Sequence, residues 1–310
     1  MRINEASVKN PWFTKENIDI SLKYWSKELT DKKLKSWLSS YKIPDDKSNT
    51  IAVIMAGNLP LVGFHDLLCV LITGQKLAVK FSKNDDVLMK FMIKYLIFKN
   101  VKFKDHIIIK DSIIEDFDRV IATGSNNTSR YFDYYFRNKP SIIRKNRFSV
   151  AILSGKESKV ELEKLSTDIF SFFGLGCRNV SKIYIPVNYN FDVFFKSMYS
   201  WKNIIYNHKY ASNYNYNKTI NLIDKNSILE NGFLILKESG ENHSPISVLL
   251  YEYYKNTRDL RKKIELIEKD LQCIVANNYC KSEVNFGETQ NPKLSDYADN
   301  IDTIEFLLTK

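Results

Sequence analysis

One cysteine of this chain lies in a turn-like sequence that can present a thiol to a substrate. Cys177 belongs to FFGLGCRNVSKIYIP, residues 172–186, between a helix-like and a strand-like run. Gly174 and Gly176 allow tight turning of the backbone and a close approach by a substrate. Arg178 either adds positive charge that favours the thiolate, the nucleophilic form of cysteine, or only packs nearby. Because cysteines are buried more often than they react, Cys177 taken alone also fits a packed thiol.

Three polar turns follow strand-like runs upstream of this cysteine. Asn58 lies in AGNLP and fits either a cap of the next helix or an amide that stabilises an oxyanion. Lys80 ends an apolar strand and can reach a ribose or phosphate, or extend to solvent. Gly124 and Ser125 open a helix, whose first N–H groups bind phosphate oxygens. They lack the GxGxxG pattern, so an ordinary strand-to-helix turn stays an alternative.

Short strands alternate with helices over the region that contains these turns. The predicted strands are 51–57, 75–82, 105–111, 117–125 and 141–153, and the predicted helices are 59–74, 84–97 and 127–137. This alternation predicts crossover connections and a mostly parallel sheet. Ligands of such sheets bind beyond the carboxyl ends of the strands, where the three polar turns lie.

A second α/β region follows the first. Helices are predicted over 160–173 and 257–271 and strands over 182–187, 232–238 and 273–278, while 247–254 is ambiguous. The final run, 301–308, alternates partly and predicts a strand at a sheet edge or a subunit contact.

Four segments therefore divide the chain. Residues 1–49 form a predicted helical lead-in, with Trp25, Leu29, Leu34 and Trp37 on one face. We expect a cofactor-binding domain over 50–155 and a catalytic domain with the cysteine over 156–290. Residues 291–310 are the predicted C-terminal strand or tail.

Composition limits the class of protein. A hydrophobic content of 44% argues against disorder, and a formal charge of +10 fits attraction to anions or a lysine-rich solvated surface. The four cysteines (Cys69, Cys177, Cys273, Cys280) show no CxxC pairing, so neither a metal site nor a disulfide framework is predicted. The start does not resemble a signal peptide and the run 59–74 is too short to span a membrane. We expect a cytoplasmic protein with no integral membrane segment.

The ordered motifs AGNLP, VKFS, IATGSNNTSRYF, AILSGK and FGLGC resemble the aldehyde dehydrogenase superfamily. Longer stretches, among them MAGNLPLVGFHDLL, ATGSNNTSRYFDYYF, IIRKNRFSVAIL and HKYASNYNYNK, resemble its acyl-CoA reductase branch, the LuxC-type fatty acyl reductases. The resemblance covers roughly residues 50–308. Each motif alone is unspecific, and the joint order is what carries the resemblance.

This resemblance implies a fold and a role for each motif. The fold is α/β and aldehyde-dehydrogenase-like, with a Rossmann-type parallel-sheet cofactor domain and a second α/β catalytic domain. Cys177 matches the nucleophile, and Asn58 matches the amide that holds the oxyanion together with the Cys177 backbone N–H. Lys80 matches a ribose-contacting lysine. Gly124 and Ser125 match the turn near the cofactor pyrophosphate.

Two positions depart from the family pattern. Aldehyde-oxidising members carry a glutamate base before Gly-Gly-Lys, and aligning 154–156 with that segment places Ile152 at the glutamate position. A site without this base favours reduction of an acyl thioester over its hydrolysis. The Glu-x-Phe-Gly ribose clamp falls on 284–287, which leaves Glu283 one position off and without an assigned role.

The expected function is reduction of a fatty acyl-CoA or acyl-protein thioester to the aldehyde through an acyl-cysteine. The resemblance favours NADPH as cofactor, with NADH as an alternative, and implies a homo-oligomer and an acyl-protein synthetase partner. One alternative is a basic nucleic-acid-binding protein with 18 Tyr and 19 Phe, although the grouping of aromatics in YFDYYF and FSFFG favours core packing. We therefore expect no nucleic-acid partner. An inactive scaffold is a further alternative, against which the intact Cys177 and Asn58 argue.

Overall fold

Apolar runs between residues 50 and 144 form a five-stranded sheet in the computed structural model, which describes residues 2–44, 49–280 and 283–309. Its strands are β1 (Thr50–Ile54), β2 (Lys76–Lys80), β3 (Ile107–Ile109), β4 (Arg119–Thr123) and β5 (Ser141–Arg144). All neighbours are parallel and follow the order β3-β2-β1-β4-β5. The predicted Rossmann-type sheet is confirmed, and its central strands are apolar because helices cover both faces.

Seven helices accompany this sheet in the described residues up to 144. They are α1 (Arg2–Lys9), α2 (Lys15–Glu28), α3 (Asp31–Leu38), α4 (Phe64–Ile72), α5 (Asp86–Lys99), α6 (Phe103–His106) and α7 (Asn126–Tyr135). The first three of these helices lie before the sheet, and Trp25 and Trp37 are buried in the same core as the sheet. Helix α4 begins at Phe64, later than predicted, because Leu61 has a left-handed backbone (φ 60°) that cannot continue a right-handed helix.

A second, six-stranded sheet follows. Its strands are β6 (Phe148–Ile152), β7 (Val180–Pro186), β8 (Ile228–Glu230), β9 (Ile235–Glu238), β10 (Val248–Tyr254) and β11 (Leu271–Val275), in the order β11-β6-β7-β10-β9-β8. Among these described strands, neighbouring pairs are parallel except β8 and β9, which are antiparallel. The helices are α8 (Lys159–Phe170), α9 (Phe191–Met198), α10 (His208–Ile223) and α11 (Thr257–Ile267).

The two sheets belong to separate compact units. One comprises residues 1–146 and 293–310, and the other comprises 147–292. The extended run 141–153 is two strands rather than one, because β5 pairs with β4 while β6 pairs with β7 and β11. The division therefore falls before β6, earlier than the boundary at 155 expected from the sequence.

The predicted strand at 301–308 is wrong, because this segment forms helix α12 (Thr303–Leu308). Ile304 and Leu307 are buried in the core of the first unit. The Arg119 guanidinium donates hydrogen bonds to the carbonyls of Phe306 (3.1 Å) and Thr309 (2.7 Å), which satisfies the end of the helix. This tertiary partner selects a helix where the local pattern allowed a strand.

A buried ion pair ties α4, β5 and the C-terminal segment together inside the first unit. Arg144 Nη2 lies 2.7 Å from Asp66 Oδ1 and also donates to Thr303 Oγ1 at 3.0 Å. Arg144 Nη1 donates to the Ala298 carbonyl at 2.7 Å. A search of the described residues found no helix long and apolar enough to cross a membrane.

Candidate functional site

The polar turns of the first unit follow three neighbouring strands. Strand β1 lies between β2 and β4 in the sheet. Lys80 is the last residue of β2, Asn58 follows β1, and Gly124 and Ser125 follow β4. Since the strands are parallel, their carboxyl ends share one edge of the sheet. The strand order reverses between β1 and β4, which is where open α/β sheets bind ligands.

Gly124 and Ser125 form the start of α7. Ser125 is exposed and is the N-cap, and its Oγ accepts a hydrogen bond from Thr128 N at 3.3 Å. A Cβ on Gly124 would lie 2.9 Å from the Cβ of Thr128, so only glycine lets the helix pack this close to the turn. The positive end of the helix dipole and the first N–H groups favour an anion here.

Lys80 is half-buried at the end of β2, and its backbone carbonyl accepts a hydrogen bond from Met55 N at 3.0 Å. Across the described ranges, its ammonium group has no acidic side chain within ion-pair distance. A half-buried cation at a ligand-binding edge can therefore serve a polar ligand.

Asn58 is exposed in the turn between β1 and α4. The N-cap of α4 is Gly63, so the side chain of Asn58 does not cap that helix. The turn packs tightly against the end of β2, since a Cβ on Gly57 would lie 2.5 Å from Ser82 Oγ. Its backbone path is therefore fixed by its neighbours.

Asp85 holds the far end of the same turn. Asp85 is the N-cap residue of α5, but its carboxylate makes no capping hydrogen bond to that helix. Asp85 is 3% exposed, and its Oδ2 accepts a hydrogen bond from Leu61 N at 2.8 Å. Burial raises the pKa of Asp85 to about 8, although this hydrogen bond opposes the rise. At neutral pH the carboxyl group is therefore mostly protonated, and it secures Leu61 three residues after Asn58.

Cys177 is exposed in a turn directly before β7, in the second unit. Gly176 N donates to Asn179 Oδ1 at 2.9 Å, and Asn179 N donates to the Gly176 carbonyl at 3.0 Å. Ser149 Oγ on β6 donates to the Cys177 carbonyl at 2.8 Å. The thiol thus lies on a turn whose backbone is held on both sides.

The two residues after Cys177 anchor the turn further into the unit. Asn179 is 2% exposed, and its Nδ2 donates to the carbonyls of Asp168 (3.0 Å) and Ser171 (2.9 Å). Arg178 Nε donates to the Thr289 carbonyl at 2.6 Å. The sequence allows Arg178 either to add charge near the thiol or to pack against its surroundings. The hydrogen bond to Thr289 shows that its guanidinium anchors the turn.

Backbone strain lies just upstream of the turn. Phe172 (φ 53°) and Phe173 (φ 60°) adopt left-handed conformations between α8 and Gly174, which also has a positive φ of 75°. A non-glycine residue in this region costs about 1–3 kcal/mol and persists only where its surroundings impose it. The hydrogen bonds of Asn179 supply such a constraint.

Ile152, which aligns with the glutamate base of the aldehyde-oxidising enzymes, is the last residue of β6. Ile152 belongs to the second sheet and is 8% exposed in an apolar cluster with Leu260 and Ile264 of α11. Ile152 pairs with Tyr184 of β7. It lies three residues after Ser149, the β6 residue whose Oγ donates a hydrogen bond to the Cys177 carbonyl. A strand rises about 3.3 Å per residue, so this position is about 10 Å farther along β6 than the contact to the cysteine turn.

Glu283, which has no assigned role, supports a loop. Its carboxylate accepts hydrogen bonds from the backbone N–H groups of Asn278 (2.6 Å), Tyr279 (2.6 Å) and Cys280 (2.9 Å). These contacts outweigh partial burial and lower the pKa of Glu283.

The aromatic motifs divide between core and surface. In YFDYYF, Phe132 and Phe136 pack against the first sheet, whereas the three tyrosines, Tyr131, Tyr134 and Tyr135, are exposed. The core-packing interpretation therefore holds for the phenylalanines and is wrong for the tyrosines, because α7 lies on the surface and presents one face to water.

Metal ligation finds no support in the described residues, which contain no group of three or more His, Cys, Asp or Glu side chains suited to a metal ion. The candidate chemistry therefore rests on the Cys177 thiol and on the polar edge of the first sheet.

The fold is similar to that of solved aldehyde dehydrogenases. AldH from Staphylococcus aureus, in a substrate-bound state, superposes with a TM-score of 0.58 at 17% identity, over 89% of this chain and 69% of AldH. Aldehyde dehydrogenase 21 from Physcomitrella patens, in complex with succinate, gives 0.63 at 9% identity, over 89% and 68% of the two chains. The P. syringae indole-3-acetaldehyde dehydrogenase AldA, in complex with NAD+, gives 0.58 at 11% identity, over 79% and 59%.

These likenesses show an aldehyde-dehydrogenase-like fold, as the sequence predicted. The chain spans less than two thirds of the length of AldA. No protein-family model matches the chain, and no curated protein does either.

Replacing Asp85 by asparagine should remove one pH dependence of stability. The raised pKa means that the folded state binds more protons than the unfolded state between about pH 4 and pH 8. Stability therefore falls as pH rises through that window, by at most about 1.4 kcal/mol per pH unit, and an amide does not titrate. Urea unfolding at pH 5, 6, 7 and 8 should show the Asp85→Asn protein gaining stability over the wild type as pH rises.

The neighbouring Asp86 provides the control. Despite some burial, Lys9 and Lys90 hold the pKa of Asp86 below its ordinary value, so its stabilising charge is fully present above roughly pH 5. The Asp86→Asn difference should then stay constant from pH 5 to 8. A constant difference for Asp85→Asn as well would contradict the assignment of a buried, protonated Asp85.

Proposed function

We propose that this chain reduces an acyl thioester, of a fatty acyl-CoA or an acyl-protein, to the aldehyde through an acyl-cysteine on Cys177, with NADPH as the hydride donor and NADH as the alternative. The observation that carries the proposal is the exposed thiol of Cys177 on an anchored turn. The aldehyde-dehydrogenase-like fold and the ordered motifs that resemble the LuxC-type reductases support it.

The carboxyl edge of the first sheet fits a dinucleotide. Gly124 lets Thr128 pack closely against the turn, at the start of a helix whose exposed N-terminus suits a pyrophosphate. Lys80 ends β2, which β1 separates from β4, and the motif resemblance assigns it to the ribose hydroxyls. The solved AldA holds NAD+ on a similar fold. A bound reduced nicotinamide would supply the hydride, and the protein would position it.

The protein's own part of the chemistry begins at the thiol. Cys177 thiolate attacks the carbonyl carbon of the thioester, and the carbonyl oxygen becomes an oxyanion held by the Cys177 N–H. Collapse of this adduct expels the CoA or carrier thiolate and leaves an acyl group on Cys177. After reduction of that acyl group, breakage of its C–S bond releases the aldehyde and returns the thiolate.

Asn58 is proposed as a second donor to the oxyanion, on the basis of the motif resemblance. Its exposed amide stands in a turn fixed by Asp85 and by the packing of Gly57, which suits a preorganised donor.

The preference for reduction over hydrolysis rests on the LuxC-like motifs. Several carboxylates of the second unit hold loops, among them Asp168 and Glu283. Asp168 and Glu283 each accept three hydrogen bonds from loop donors. Because their oxygens are engaged by these loop donors, we assign neither carboxylate as the general base that would activate water.

Cys177→Ala should abolish acyl-CoA-dependent oxidation of NADPH, because no thiolate remains to form the acyl-enzyme. The measurement is a panel of acyl-CoA chain lengths with NADPH and NADH, following the aldehyde and the mass of the acylated protein. Cys280→Ala, which removes a half-buried thiol of the same unit, is the matched control and should keep both signals. Undiminished turnover by the Cys177 variant would overturn the nucleophile assignment.

Asn58→Ala should lower kcat by about 10²–10³, the usual loss for one oxyanion donor, with a much smaller change in KM. The thermal midpoint should stay close to that of the wild type, because the side chain is exposed. A kcat within threefold of the wild type would exclude Asn58 from the oxyanion site.

Lys80→Met should weaken NADPH binding by roughly 10- to 100-fold, because a charge-assisted hydrogen bond contributes about 1.5–3 kcal/mol. Nicotinamide fluorescence gives the dissociation constant without any acyl substrate. Lys76→Met at the opposite, exposed end of the same strand is the matched control and should bind normally. Equal affinity of the two variants would contradict the assignment of Lys80.

A further inference from the structure

Asp168 is a fully buried carboxylate outside the residues that the motifs assign. It lies on α8 and is 0% exposed. Across the described residues no cation pairs with it, and its oxygens instead accept hydrogen bonds from Gly287 N (2.7 Å), Thr289 N (3.0 Å) and Thr289 Oγ1 (2.8 Å). This single side chain therefore fixes a loop that lies more than a hundred residues away in sequence.

That loop returns to the cysteine turn. The Thr289 carbonyl accepts the hydrogen bond of Arg178 Nε at 2.6 Å. The backbone carbonyl of Asp168 accepts a hydrogen bond from Asn179 Nδ2 at 3.0 Å. Both residues that follow Cys177 are thus connected to Asp168, one directly and one through Thr289.

We propose that Asp168 is a positioning residue for Cys177, and that it acts through Thr289 and Arg178 on one side of the turn and through Asn179 on the other. Its importance for turnover rests on the proposed function, in which Cys177 is the nucleophile. The mechanical link itself does not depend on any activity.

A purely structural site would not need a carboxylate. Burying this charge is expensive, and an apolar side chain of similar size fills a core at lower cost. What the carboxylate supplies is three acceptor contacts to loop donors that no strand or helix satisfies. The loop has little room to shift, since Gly287 has a φ of 86° and a Cβ there would lie 3.1 Å from Lys164 Cβ.

Hydrogen exchange of the whole chain, read by mass spectrometry, tests the link without substrate or cofactor. Asp168→Asn keeps the shape of the side chain but directs an NH2 group at the N–H donors of the loop. Amides 176–180 and 287–289 should then exchange at least tenfold faster, while peptides of the first unit keep their rates. Ile264→Ala, in the apolar cluster under α11, is the control for lost stability in the same unit and should leave amides 176–180 protected.

A second measurement concerns the reaction. Asp168→Asn and Arg178→Met should each lower kcat for the acyl thioester at least tenfold, with KM changed less than threefold. Because Asp168 and Arg178 act on the same turn, the fold-decrease in kcat of the double variant should be smaller than the product of the two single fold-decreases. A product of independent losses, or a matching rise in KM, would overturn the positioning role.

The outcomes separate the two proposals. Unchanged exchange at 176–180 in a protein that still turns over acyl thioester would overturn the role of Asp168 alone. Faster exchange in a protein whose wild type shows no turnover would leave the link established and the proposed function wrong. If Asp168→Asn does not fold, Thr289→Val removes only the hydroxyl donor and should give the same local exchange change on a smaller scale, with no change counting against the link.

Discussion

In each of the two units, a buried carboxyl group holds a loop by accepting hydrogen bonds from backbone N–H groups. Asp85 accepts one such hydrogen bond, from Leu61, and its pKa rises to about 8. Asp168 accepts two, from Gly287 and Thr289, and a third hydrogen bond from the Thr289 hydroxyl, and its pKa rises only to about 6. Burial raises both values because it disfavours the charged form, and each donated hydrogen bond favours that form again. The additional donors therefore oppose the effect of burial more strongly at Asp168 than at Asp85.

The parallel topology sets where these loops can act. Strands that run the same way end at the same edge, so the turns after β1, β2 and β4 share one edge of the first sheet regardless of their separation in sequence. Such edges carry exposed helix N-termini, and α7 begins there. The strand order of the first unit thus brings the turns that contain Lys80 and Ser125 to one edge, which is where the proposed cofactor site lies.

Much of this arrangement can be predicted from the sequence. The strands of the first sheet are apolar runs of ordinary length, and their polar turns stand out as departures from that pattern. The C-terminal segment could not be predicted, because α12 is decided by the distant Arg119 and by burial of Ile304 and Leu307. The division of the run 141–153 into two strands could not be predicted for a similar reason, since nothing local shows that β6 leaves the first sheet and pairs with β7.

The buried acids were missed, although one left a trace. Asp168 stands three residues after the buried Leu165, so it falls on the apolar face of α8. A charged residue in the middle of such a face is rarely buried without partners, and it marks a polar contact to be found in the tertiary structure. Asp85 left no comparable trace, since acids near a helix start are ordinary.

The strained backbone and the hydrogen bonds around Cys177 together fix the conformation of one turn. Phe172 and Phe173 are held in left-handed conformations, each at a cost of about 1–3 kcal/mol, and the turn that follows is secured through Asn179, Ser149 and Arg178. A peptide group fixed in this way needs little reorganisation when charge develops on a substrate, which is the condition under which a backbone N–H stabilises an oxyanion best. A packed, unreactive thiol would gain nothing from such constraints. The anchoring of the turn therefore favours a reactive Cys177 independently of the motif resemblance.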